Sequence, residues 1–142
     1  EHEMASLLGG YVAEEMIYGQ VSTGPSNDLE RASGMARRMV TEYGMSTQIG
    51  PTVFGEKSHE VFLGRDYGHT KNYSEAVAAQ IDKEVEGFVN KAYKLAKETL
   101  TKHKKELDRI AKTLIDKETL SREDFIAIFE GKKLKLATRN VA

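Results

Sequence analysis

The sequence of 142 residues contains no cysteine and no run of about 18 apolar residues. Without cysteine the chain has no disulfide and no thiolate metal ligand, which fits a reducing compartment. Without a long apolar run, we expect no segment of this chain to span a membrane by itself. The first residues also lack the pattern of a secretory signal peptide.

Positive charge is absent from the first part of the chain and concentrated at its end. Residues 1–30 hold six acidic side chains and no lysine or arginine, whereas residues 132–142 hold Lys132, Lys133, Lys135 and Arg139 and no acid. A short basic tail is typical of a solvated chain end, while nucleic-acid binding needs a broader basic face. We therefore expect no nucleic-acid partner and a flexible tail at 132–142.

Apolar residues make up 39% of the chain and charged residues 30%, a balance that favours a helical, well-solvated domain over a disordered chain. The apolar residues recur at spacings of three and four, which predicts helices at about residues 4–18, 26–43, 74–102, 104–116 and 121–130. Gly19 and Gly44 are expected to end the first two helices, and Ser74 and Ser121 to cap the third and fifth. The predicted fold class is all-α, a bundle of about five helices.

Two local patterns interrupt this helical scheme. Gly9 and Gly10 lie inside the first predicted helix, where each should cost about 1 kcal/mol relative to alanine, so we expect another backbone to approach them closely. Residues 44–73 are rich in glycine, and the short apolar pieces 52–54 and 61–63 could pair as a small β-hairpin at 52–63. The alternative is an irregular loop packed by Phe54 and Phe62.

Asp28 is the strongest candidate for a functional side chain. It follows a Gly-Pro turn at the start of the second predicted helix. In the structural interpretation it stabilises the helix terminus, because a negative charge there is favoured by the helix dipole and by free backbone N–H groups. In the functional interpretation its carboxylate is a metal ligand, which requires further ligands, usually histidines, from another segment. Ser26 or Asn27 would then cap the helix.

The other candidate residues lie close to Asp28 in sequence or are histidines. Glu14 and Glu15 form either a solvated acidic face or a carboxylate that supports a metal ligand, and the sequence does not choose between them. His2 opens the run His-Glu-Met-Ala-Ser, in which Ser6 stands where a zinc-binding helix would have its second histidine. We expect no metal site at His2, because the motif is incomplete and lies at a chain end that should fray. We interpret His59, His69 and His103 as surface residues, because none has a partner histidine four positions later.

A series of motifs in order along the chain resembles one family. The stretch Leu7-Leu-Gly-Gly-Tyr-Val-Ala-Glu-Glu-Met-Ile-Tyr-Gly19 is followed by Ser22-Thr-Gly24, Asn27-Asp-Leu-Glu-Arg-Ala32, Ala36-Arg-Arg-Met-Val-Thr-Glu-Tyr-Gly-Met45 and Gly50-Pro51. Val61-Phe-Leu-Gly-Arg-Asp66, Asn72-Tyr-Ser74, Ile81-Asp82 and Glu118-Thr-Leu120 continue the series. Over about residues 5–130 the chain resembles the FtsH family of membrane-anchored, ATP-dependent zinc metalloproteases.

The resemblance implies a role for Asp28 as the third zinc ligand, beside two histidines of a His-Glu-x-x-His helix. Glu14, Glu15, Thr23, Gly24 and Asn27 would then shape or support the site. The implied parent is a homo-hexamer with ATP and Mg²⁺ at an ATPase module, which degrades membrane and cytosolic proteins. Its peptidase domain would lie on the cytoplasmic side of a bacterial membrane, or on the matrix or stroma side in an organelle.

The sequence departs from the family pattern in three respects: the zinc-binding helix, the ATPase module and the membrane anchor are absent from it. Residues 1–131 are therefore expected to be the C-terminal helical portion of a zinc-peptidase domain, inactive in isolation and attached to a membrane only through N-terminal helices. Pro25, where relatives often have a small residue, stiffens the approach to Asp28. The alternative is a non-catalytic helical module used for assembly.

Overall fold

The computed structural model describes residues 1–55 and 72–132, and within these ranges every regular element is a helix. The helices are α1 (His2–Leu7), α2 (Gly9–Tyr18), α3 (Ser26–Thr41), α4 (Glu75–Lys102), α5 (Lys104–Lys117) and α6 (Arg122–Phe129). The predicted all-α fold class is confirmed. The chain divides into two compact units, Glu1–Glu98 and Thr99–Ala142.

The core of the first unit is formed by apolar side chains that recur at spacings of four or seven residues along each helix. Buried side chains come from α1, the link between α1 and α2, α2, α3 and α4: Met4, Leu8, Val12, Ala32, Ala36, Val40, Ile81, Val85, Ala92 and Ala96. Residues four apart lie on one face of an α-helix, so each helix turns a single stripe inward. Helix α1 packs directly against α3.

The first predicted helix is divided in the structure. Leu8 interrupts it between α1 and α2, although the Val12 N–H still donates to the Leu8 carbonyl at 3.0 Å. Gly19 ends α2 in a left-handed conformation with φ 68°, as predicted. The expected close approach at Gly9 and Gly10 is wrong for the described residues, because a Cβ added at either glycine would meet nothing within 4 Å.

Helix α3 ends in a turn that favours glycine. Gly44 has φ 59°, and a Cβ on it would come within 3.0 Å of the Pro51 backbone. The Met45 N–H closes the turn by donating to the Met39 carbonyl at 2.9 Å. Both the backbone conformation and the close approach therefore favour glycine at position 44.

The segment after this turn is irregular as far as the structure describes it. The buried Ser46 donates its hydroxyl to Glu84 at 2.7 Å and accepts the N–H groups of Gln48 and Ile49. Residues 52–54 form no strand, and Phe54 packs edge-on against Tyr73 with ring centroids 5.7 Å apart. The other half of the suggested hairpin, 61–63, lies outside the described residues, as does Phe62.

The second unit contains a helical hairpin of α5 and α6 within its described part. Ser121 accepts the Asp124 N–H at 3.0 Å, which confirms its predicted role as N-cap. The apolar contacts include the rings of His103 and Phe129, 4.9 Å apart, and the buried Ile128. Residues 133–142 lie outside the described residues, so the predicted flexible tail remains a prediction. Among the described helices, none combines the length and the apolar character needed to cross a membrane.

Helix α4 is joined to α2 by a polar cluster at the surface of the first unit. The Tyr93 hydroxyl donates to Glu15 at 2.5 Å, and the Lys97 ammonium contacts Glu15 Oε2 at 3.2 Å and Tyr93 Oη at 2.8 Å. Ser74 starts α4 by accepting the Val77 N–H at 3.3 Å, as predicted. The hydrogen bond from Tyr93, and then that from Lys97, lowers the pKa of the Glu15 carboxyl.

We expect Glu15→Gln to lower the thermal midpoint of the chain at pH 7 and to have less effect in acid. A carboxyl whose pKa is lowered by folding stabilises the protein above its ordinary pKa, and this contribution disappears as the pH falls through the folded value. Circular dichroism melts at pH 7 and at successively lower pH values measure the difference. Glu86→Gln, at an exposed position of α4, is the control, and an equal effect of both changes at every pH would contradict the expectation.

Candidate functional site

Asp28 lies in the first turn of α3, directly after a short loop that comes from α2. Pro25 is buried at the N-cap position with φ −76°, and the Ser26 N–H donates to the Thr23 carbonyl at 3.2 Å. The sequence predicted that Ser26 or Asn27 would cap this helix. That expectation is wrong, because Pro25 occupies the cap position, where no side chain accepts a hydrogen bond.

The Asp28 carboxylate is at the surface and is 44% exposed. Its ion-pair partner is Arg31, three residues later in the same helix, at 3.6 Å. A carboxylate in the first turn is favoured by the positive end of the helix dipole, so the position is stabilising in itself. Asp28 is not buried, and its oxygens remain accessible to a ligand that approaches from solvent.

A cleft of about 600 Å³ lies beside this turn in the first unit. It is lined by residues of α1 and α3, namely Glu3, Asn27, Glu30, Arg31, Gly34, Met35 and Arg38. Asn27 lines the cleft, whereas Asp28 does not, so the predicted site residues are divided between the cleft and the neighbouring surface. Arg31 and Arg38 were not predicted from the sequence, although the spacing 27, 31, 34 and 38 places them on one face of the helix.

Glu14 contacts the loop that leads to Asp28. Its Oε2 accepts the Ser22 N–H at 2.8 Å and its Oε1 accepts the Ser22 hydroxyl at 3.1 Å. The Ser22 hydroxyl in turn accepts the Gly24 N–H at 3.1 Å. Glu14 therefore bonds to the loop, whereas Glu15 bonds to α4. Ser22 was not predicted as a site residue from the sequence. The only indication of its role there was its place in the Ser-Thr-Gly motif.

The sequence predicted Asp28 as a metal ligand, and within its described part the structure shows no complete metal site around this residue. Among them, no three His, Cys, Asp or Glu side chains lie close enough together to hold a metal ion. His2 is exposed in α1 and His103 precedes α5, while His59 and His69 lie outside the described residues. An accessible Asp28 fits the role of one oxygen ligand of zinc, with the remaining ligands supplied from elsewhere.

Comparison with known proteins identifies the family. The profile of peptidase family M41 matches residues 1–128. "ATP-dependent zinc metalloprotease FtsH 1" of Thermoanaerobacter sp. (strain X514) is 52% identical over 133 residues, which are 94% of this chain and 22% of that protein. "ATP-dependent zinc metalloprotease FtsH" of Bacillus subtilis (strain 168) is 48% identical over 122 residues, 85% of this chain and 19% of that protein.

This chain belongs to peptidase family M41, and the resemblance to the FtsH family drawn from its motifs is confirmed. It spans about a fifth of the length of these curated relatives. The helices, the loop and Asp28 described above therefore correspond to one part of these longer relatives.

We expect Asp28→Ala to cost this chain only ~0.5–1 kcal/mol of folding stability, because it removes a helix-dipole interaction and an exposed ion pair. Urea unfolding of wild type, Asp28→Ala and Asp28→Asn measures the cost. Asp28→Asn removes the charge but keeps the size of the side chain, so it should lose a similar amount. A loss well above 2 kcal/mol would show that Asp28 has a packing role.

Proposed function

We propose that residues 1–131 are the C-terminal helical portion of the peptidase domain of an ATP-dependent zinc metalloendopeptidase, and that Asp28 is one of its zinc ligands. The observation that carries the proposal is the accessible carboxylate at the first turn of α3, in a chain matched by peptidase family M41 over residues 1–128. The names of the relatives, which specify a zinc metalloprotease that depends on ATP, support the same assignment.

In the proposed site Asp28 supplies one oxygen donor, and two histidines of a His-Glu-x-x-His helix elsewhere in the parent supply nitrogen donors. Zinc, when bound, would provide the Lewis acid for attack of water on a peptide bond. Asn27 and Arg31 line the adjoining cleft, where a hydrogen-bonding amide and a guanidinium can contact the backbone of a protein substrate. Thr23, Gly24 and Glu14 shape the approach to Asp28, while Glu15 fixes α2 to α4.

The proposed parent is a homo-hexamer that uses ATP and Mg²⁺ at an ATPase module to deliver membrane and cytosolic proteins to the zinc. It is anchored in a membrane, with this domain on the cytoplasmic side in a bacterium or on the matrix or stroma side in an organelle. The assembly-module alternative makes a different prediction for the parent gene. A Gly-x-x-x-x-Gly-Lys-Thr loop and a His-Glu-x-x-His helix encoded upstream support the protease, and their absence supports the module.

In the intact parent, we expect Asp28→Ala to abolish zinc-dependent proteolysis and to leave ATP hydrolysis largely in place. The change removes a donor to the metal and no buried packing group. Casein degradation, zinc content and ATPase rate are measured on the same preparations. Asp116→Ala, at an exposed position of α5, is the control. Proteolysis by Asp28→Ala at the control rate would refute the ligand assignment.

We also expect the 142-residue chain to hydrolyse no peptide, with or without added zinc and ATP. A single carboxylate cannot hold zinc at useful affinity, because dehydrating and ordering the ion requires several donors together. A fluorogenic peptide assay with and without a chelator provides the measurement. Cleavage by the pure chain that the chelator suppresses would contradict this expectation.

A further inference from the structure

We infer that Ser22 is a positioning residue for Asp28: together with Glu14 it holds the loop 22–25 against α2, and so sets where α3 begins. The inference rests on the proposed role of Asp28 as a zinc ligand. Ser22 does not touch Asp28 in this arrangement. It acts through the backbone that connects the two residues.

The loop before α3 is hydrogen-bonded to α2 through Glu14. Both oxygens of the Glu14 carboxylate are used, one by the Ser22 N–H at 2.8 Å and the other by the Ser22 hydroxyl at 3.1 Å. Two hydrogen bonds from one residue to one carboxylate fix an orientation as well as a distance. Glu14 is itself held on a rigid element, because α2 is anchored in the core by the fully buried Val12.

Ser22 is also connected to the start of α3. The Ser22 hydroxyl donates to Glu14 and accepts the Gly24 N–H at 3.1 Å, so it links the carboxylate to the backbone two residues further on. The Thr23 carbonyl accepts the Ser26 N–H at 3.2 Å, and Pro25 is buried. The loop is therefore held from its first residue to the first residue of the helix.

Gly24 shows how closely this loop approaches the carboxylate. A Cβ at position 24 would lie 3.2 Å from Ser22 Oγ and 3.4 Å from Glu14 Oε1. A side chain there would press on the Ser22 hydroxyl and would come into van der Waals contact with the Glu14 carboxylate. Because Gly24 has no side chain, the Ser-Thr-Gly motif leaves room for the contact between Glu14 and Ser22.

The contacts of Asp28 do not provide this positioning. Its ion pair with Arg31 is formed within α3, so it orients the side chain on its own helix and not the helix relative to α2. The Glu14–Ser22 contact, by contrast, joins α2 to the segment that enters α3. Residues that orient a metal ligand without binding the metal typically change metal affinity by about 10–100-fold when they are lost.

The test uses the intact parent and the variants Ser22→Ala, Ser22→Thr, Glu14→Ala, the double variant Ser22→Ala/Glu14→Ala and Asp28→Ala. Zinc affinity is measured by competition with a chromogenic chelator, and hydrogen exchange of residues 20–30 is followed by mass spectrometry in the zinc-free protein. Proteolysis and ATP hydrolysis are recorded alongside. Ser33→Ala, at an exposed position of α3, is the matched control.

We expect Ser22→Ala to lower zinc affinity by about 10–100-fold and to speed exchange at residues 22–26, with ATP hydrolysis retained. Ser22→Thr keeps the hydroxyl and should keep the wild-type zinc affinity and exchange rate. Ser33→Ala should change neither quantity. Because Ser22 and Glu14 act through one contact, the double variant should lose little more affinity than either single variant.

Three results would overturn the inference. Zinc affinity of Ser22→Ala equal to that of the control would show that the contact does not position the ligand. Additive losses in the double variant would show that the two residues act separately. If Ser22→Ala loses both ATP hydrolysis and helicity, then Ser22 is needed for the folding of the whole protein and does not specifically position Asp28. If Asp28→Ala itself retains zinc and proteolysis, the failure lies with the proposed function, whatever Ser22 does.

Discussion

The positions of Asn27 and Asp28 in the first turn of α3 depend on the small side chains that this helix buries in the core. Ala32 and Ala36 have no exposed surface, and with Val40 they form the buried row of this helix. Alanine projects little beyond the backbone, so neighbouring helices can approach closely, and α1 lies directly against α3. This packing fixes the rotation of α3 about its axis. Asp28 stands one turn before Ala32 on the same row, at the end where the core gives way to solvent.

The two adjacent glutamates show how a helix separates neighbouring charges. Successive residues of an α-helix point about 100° apart, so Glu14 and Glu15 serve different neighbours. Glu14 bonds to Ser22 in the loop before α3, and Glu15 bonds to Tyr93 and Lys97 on α4. Helix α2 is therefore hydrogen-bonded both to the loop that leads to Asp28 and to α4.

Local signals in the sequence predicted local structure well. Ser74 and Ser121 cap their helices and Gly19 and Gly44 adopt left-handed turns, since each of these roles depends on a few neighbouring residues. The predictions that depended on more distant residues were less successful. Residues 52–54 do not form a strand, and no described backbone lies close to Gly9 and Gly10. At α3 the rigid Pro25 took the cap position expected for a neighbouring polar side chain.

The sequence by itself determined the helical class, most helix ends, the family and the place of Asp28 in a first turn, because periodicity, capping residues and motifs are properties of short segments. Only the tertiary structure decided which partners the polar residues have. The pairing of Glu14 with Ser22 spans eight residues and that of Glu15 with Tyr93 spans 78. Such contacts depend on how the helices pack and on the path of the loop between them, and the local sequence pattern carries neither.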